Sequence, residues 1–340
     1  MQVYPKKVFK FLIVIAALVH LTGCEKAPVP EVISYQSAQQ ALQEINQALA
    51  PNQIERTLTV LPFTDEYLDR RHVIYQSLDK QALDKGQLDE LNYLMIQERY
   101  PERYIMWPAS VNVLKNALAK GFNEGDINNW FLHVIAKLEE AKESKIYLSR
   151  IELSRLKSYL SEQDKGNELT SYLDKYKPRS GIGLYQLPNG REWYQSKLNF
   201  YYTEALSPSS LLTQVQHRLA DKFINAQKSA EHLSDENLNY ALSVLKTHCQ
   251  ELKPGLNWQD AYVNLPATLA SCQLSLTAQE QALMLALMEV DLGVHYQGWS
   301  LKQATVTLQS RLELTDQQAY SLIEGVALHP ASVLTFLPKI

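Results

Sequence analysis

The chain has 340 residues, 46% of them hydrophobic and 21% charged, with a formal net charge of −4 at pH 7 and three cysteines. That length supports one large or two modest domains with real apolar cores. The acidic balance and the absence of any basic block argue against nucleic acid as a partner.

Taken in chain order, the first segment is MQVYPKKVFKFLIVIAALVHLTGC, in which Lys6, Lys7 and Lys10 precede an apolar run from Phe11 to Val19. A run of about nine residues falls well short of the roughly 20 that cross a bilayer as a helix, so it reads as a signal peptide over 1–23. Leu21-Thr22-Gly23-Cys24 resembles the lipobox of bacterial lipoproteins. The resemblance implies a thioether-linked diacylglyceryl group on Cys24, cleavage before it, and attachment to the membrane by more than one acyl chain. Glu25 follows where an Asp tends to retain such proteins at the inner membrane. By analogy the expected address is the Gram-negative cell envelope, at the periplasmic face of the outer membrane. Cleavage would remove three lysines and no acid, moving the formal charge from −4 to about −7. Residues 24–35 read as the lipidated cysteine and a Pro-containing tether.

Beyond the tether nearly every segment repeats its apolar residues at helical spacing, and the expected class is all-α. Ser37 precedes Ala41, Leu42, Ile45 and Leu49; Thr64 opens a stretch with Leu68, Ile74 and Leu78; Leu88, Leu91, Leu94 and Met95 follow. Further helices are expected within Val111–Phe122, Ile127–Leu138 and Ile146–Leu160. Lys175 to Gly181 breaks the pattern and divides an N-terminal helical domain, 36–175, from a C-terminal one, 176–340. Gly181, Gly183 and Asn189-Gly190 then suggest a short hairpin or ordered loop near 181–195. Ser207-Pro208 supplies a cap and first turn, before the four-residue stripe Leu211, Val215, Leu219 and Phe223. Thr277 with Glu280, and Ser300 with Gln303, form capping boxes that start two more helices.

Chemistry is sparse. A zinc peptidase of the common kind carries two histidines four apart on one helix face with a Glu between them. Here the closest pair, His217 and His232, is fifteen residues apart, so no metal and no cofactor is expected from local spacing. A nucleophile elbow, a Walker loop and a dinucleotide-binding glycine fingerprint are likewise missing. Cys249 follows His248, yet neighbours on a helix point about 100° apart and do not face one another. In an oxidising periplasm Cys249 and Cys272 could pair; two separate buried thiols are the alternative.

Two stretches, LPNGREWYQSKLNFYYTEALSP (Leu187 to Pro208) and DLGVHYQGWSLKQA (Asp291 to Ala304), resemble the bacterial domain of unknown function 885 family. HPASVLTF (His329 to Phe336) is similar to the family's closing segment. The family consists of gluzincin-like zinc peptidases, largely helical and frequently lipoproteins. The likeness implies a helical peptidase scaffold in which His295, Asp291 and Tyr296 lie near a site. This chain departs from the family where the chemistry should be. The interval from Ile224 to Leu276 lacks the His-Glu-x-x-Pro-Gly-His metal segment. Leu212 stands for a His, Leu287 for an Arg and Phe336 for a Tyr. The resemblance therefore implies a shortened, non-catalytic member that binds or assembles with an envelope protein or peptide. The alternatives are a hydrolase with a non-standard site around His295 and a purely structural lipoprotein.

Overall fold

The computed structural model describes residues 31–46, 64–99, 124–163, 168–202, 206–226 and 276–339, with isolated positions 239, 241, 255 and 256. Among the described residues the fold is all-α. Among these residues no strand forms, and the extended backbone contributes two isolated bridges, Ile33 with Leu78 and Ser149 with Arg179. No described helix is long and apolar enough to cross a membrane.

The helices begin where side chains satisfy the first free amides. Helix α1, Tyr35–Asn46, starts two residues before Ser37, because the Ser34 hydroxyl, 3.1 Å from the Ser37 amide, accepts from it. Thr64 caps α2 (Asp65–Ser77) by accepting from Tyr67, and Asp84 and Gln87 exchange side chain-to-amide bonds at the start of α3 (Lys85–Arg99). Helix α4 runs Glu124–Glu143. Ser149 and Glu152 cap α5, Arg150–Gln163, so Ile146 and Leu148 lie before the helix as buried linker residues. The short α6, Glu168–Asp174, packs on both α4 and α5. Such caps typically contribute about 1 kcal/mol each.

After α6 the chain turns through a 3-10 segment, Leu184–Gln186, into α7, Gly190–Tyr201. Of the two forms expected near 181–195, the short hairpin does not form and the chain takes an ordered turn. Asn189 takes the left-handed conformation (φ 54°, ψ 21°) and launches α7, while Gly190 is its first residue. Any Cβ at Gly190 would sit 1.7 Å from the carbonyl oxygen of Leu184, so the glycine serves a close helix-to-turn approach. Asn-Gly marks a sharp change of direction; only the packing partner decides whether a strand or a helix follows.

Helix α8, Pro208–Ala226, opens on Ser207, which accepts from the Ser210 amide. Leu211, Val215 and Leu219 are fully buried against α9, Ala278–Leu292. Helix α9 is the centre of the fold: every residue from Leu283 to Leu292 is buried, as expected for a helix apolar on all sides. Around it pack α8, α10 (Leu301–Arg311), α11 (Asp316–Leu328) and a terminal 3-10 segment, Ser332–Lys339. Capping boxes start α9, α10 and α11 from Thr277, Ser300 and Thr315. One large apolar cluster draws residues from both sides of position 175, including Trp130, Leu156, Leu173, Trp193 and Leu287. A smaller one joins α1, α2 and α3 through Leu42, Tyr75 and Leu91. The Val111–Phe122 helix lies outside the described residues.

Candidate functional site

Helix α9 does not simply stop. It passes into a π turn, Gly293–Gln297, ended by Gly298 in the left-handed conformation (φ 77°), after which Ser300 caps α10. Such π turns recur at functional sites because the widened turn redirects side chains. Here the turn places Asp291 and His295 inside the protein, with both side chains fully buried, and leaves Tyr296 half-buried. Gly293 provides room for Trp299, whose ring would lie 2.2 Å from a Cβ at that position.

Three elements meet the turn. The Leu184–Gln186 segment supplies the Leu184 amide, which donates to Nδ1 of His295 at 3.1 Å. An accepting Nδ1 puts the ring proton on Nε2, which lies 3.1 Å from the carbonyl oxygen of Val326 in α11 and donates to it. The imidazole is thus a neutral tautomer with both nitrogens spent on main chain. Burial pushes its pKa down to about 3, so it stays neutral across the physiological range. Its face stacks on Tyr194 of α7, with ring centroids 5.4 Å apart.

Asp291 is held as tightly. The Tyr194 hydroxyl donates to Oδ1, and the Ala331 amide donates to Oδ2 at 2.9 Å. Ala331 reaches this position in the left-handed conformation (φ 66°), unusual for a residue with a Cβ. Burial pushes the Asp291 carboxyl up to about 7, against the opposing pull of these hydrogen bonds and of Lys197. Burial, together with the neighbouring Asp291, pushes the Tyr194 phenol well up.

A general acid or base must present a proton-carrying atom to substrate. In this cluster the imidazole nitrogens and the Asp291 oxygens that accept from Tyr194 and Ala331 face protein, and neither side chain has accessible surface. Of the three candidates only Tyr296 reaches solvent, and its ring lies 5.7 Å from the Arg191 guanidinium. The arrangement binds α7, α9, α11 and the C-terminal segment together.

A catalytic zinc, implied by the family resemblance, does not fit the described residues. No three His, Cys, Asp or Glu side chains among them gather where they could hold a metal ion. Leu212, Leu287 and Phe336, which the resemblance sets against polar groups, are all buried in the apolar cluster. Glu289, the other buried acid of α9, accepts from Arg311 at 3.0 Å and from Gln216 at 3.0 Å.

Tyr194 and Ala331, the partners that lock Asp291, were not singled out by sequence reasoning. Tyr194 could have been found by pairing the two stretches that carry the family likeness, since it lies in one and Asp291 in the other. Ala331 leaves no such trace, because an alanine does not announce a positive φ. Residues 1–30, with the expected signal segment, Cys24 and most of the expected tether, lie outside the described residues, as do Cys249 and Cys272. The chain matches no family model, no curated protein and no solved structure.

Proposed function

We propose that this chain is a lipid-anchored protein of the Gram-negative cell envelope, on the periplasmic face of the outer membrane. In this reading it uses a helical scaffold similar to the domain of unknown function 885 peptidases as a non-catalytic binding or assembly module. The observation that carries the reading is His295, whose two ring nitrogens are bonded to the Leu184 amide and the Val326 carbonyl. A histidine so committed serves packing, and the scaffold can persist without the chemistry once built on it.

The second reading, a hydrolase centred on His295, Asp291 and Tyr296, has in its favour the Asp291 carboxyl, pushed by burial to about 7. It requires the cluster to open. The test is metal analysis and a peptide-library cleavage assay on the detergent-solubilised chain. The expected result is substoichiometric zinc and no turnover. Stoichiometric zinc, or cleavage that disappears in His295→Ala at unchanged melting temperature, would overturn the non-catalytic reading. Loss of membrane association in Cys24→Ala, alongside mass spectrometry of the mature N-terminus, tests the anchor.

A further inference from the structure

On the surface above the buried cluster, Arg191 lies between two aromatic rings. Its guanidinium carbon is 4.6 Å from the ring centroid of Tyr185 and 5.7 Å from that of Tyr296. Arg191 is exposed, and among the described residues its side chain makes no hydrogen bond and no ion pair.

The rings are held from behind. Tyr185 belongs to the turn whose Leu184 amide is fixed by His295, and Tyr296 follows His295 in the π turn. Gly298 adds a second constraint. A Cβ there would come within 2.5 Å of the Tyr185 ring, and its φ of 77° also favours glycine. The motif around His295 thus builds a rigid support for two tyrosines, and Tyr185 remains 38% exposed.

We propose that Arg191, steadied between Tyr185 and Tyr296, is the contact point for a ligand bearing a carboxylate. The proposal rests on the binding-module reading and names its ligand class. Aromatic faces orient a guanidinium while leaving its in-plane N–H donors available, and that planar fork matches a carboxylate with two parallel hydrogen bonds. A single cation beside apolar ring surface suits a monoanion with an apolar body better than a phosphate dianion, which needs more donors.

The experiment uses the detergent-solubilised full chain and three probes: benzoate, its neutral analogue benzamide, and inorganic phosphate. Saturation-transfer NMR titrations are run on the wild type, Arg191→Gln, Arg191→Lys and Tyr185→Leu, with melting temperatures recorded for each. The expected result is saturable benzoate binding, weakened about tenfold or more in Arg191→Gln and several-fold in the other two, with folding retained. Tenfold corresponds to about 1.4 kcal/mol. Equal benzoate binding by Arg191→Gln, benzamide binding as well as benzoate, phosphate binding more tightly than benzoate, or no saturable binding would each overturn the proposal. Anion binding is read without peptide turnover, so its failure leaves the non-catalytic reading standing. Zinc-dependent cleavage by Arg191→Gln would instead sink that reading alone.

Discussion

The Tyr194 hydroxyl donates to Asp291 with both side chains fully buried, and the same Tyr194 ring stacks on His295. Helix α7 therefore reaches both ionisable groups of the π turn through one side chain. The pKa values of the two groups are shifted in opposite directions, which makes the pair visible in solution.

Burial raises the Asp291 carboxyl from 3.8 to about 7 and lowers His295 from 6.5 to about 3. For the raised acid, stability is full below about 3.8 and is lost as pH rises through about 7. For the lowered base, stability is present above 6.5 and is lost as pH falls toward 3. Between about pH 4 and 6.5 the two pH dependences cancel. Relative to wild type, Asp291→Asn should therefore gain stability as pH rises across that window. His295→Gln should lose it. Each slope should be at most about 1.4 kcal/mol per pH unit. Urea unfolding at pH 4, 5, 6 and 7 measures all three proteins, and parallel profiles would refute the assignment.

His295→Ala should destabilise the fold by about 2–4 kcal/mol. It leaves the Leu184 amide and the Val326 carbonyl without their partner and opens a void beside Tyr194. Denaturant midpoints check this, and a loss under 0.5 kcal/mol would contradict the bonding described.

Two glycines of one turn should respond differently to alanine. At Gly190 the new methyl group would meet the Leu184 carbonyl oxygen at 1.7 Å, a main-chain atom that cannot step aside. At Gly181 it would meet the side-chain amide of Gln186 at 2.2 Å, which can swing away. Thermal melts should show Gly190→Ala costing about 3 kcal/mol and Gly181→Ala about 1 kcal/mol. Similar losses would show that the turn relaxes as a unit.

Arg179 organises the strap between α6 and the 3-10 turn. It donates to the carbonyls of Tyr147, Gly181 and Gly183 at 2.9, 2.6 and 2.7 Å, and pairs with buried Glu152 at 3.3 Å. Arg179→Ala should cost about 3–5 kcal/mol, because it strands a buried carboxylate. Arg179→Lys should rescue only part of that, since an ammonium cannot span three carbonyls as a planar fork does. Chemical denaturation of both variants decides it, and full rescue by lysine would show that charge alone matters.

Much of the helical plan was legible because caps and apolar periodicity are local. Thr277, Ser300 and Ser207 each sit three residues from the amide they receive, and the stripe Leu211, Val215 and Leu219 falls on one face whatever covers it. The exceptions are also local in origin. Helix α1 starts at Tyr35, ahead of Ser37, because Ser34 receives the Ser37 amide, and Asn189-Gly190 led into a helix.

By itself, the sequence determined the helical class and the segments that pack, because hydrogen bonds between residues three or four apart and the burial of one helix face need no distant partner. The π turn, the neutral tautomer of His295, the weakened acidity of Asp291 and the Arg191 cradle were decided only by tertiary structure. Each depends on groups 31 to 111 residues away from the turn, as with Val326 and Leu184 against His295, and on the exclusion of water that follows when those groups close over it.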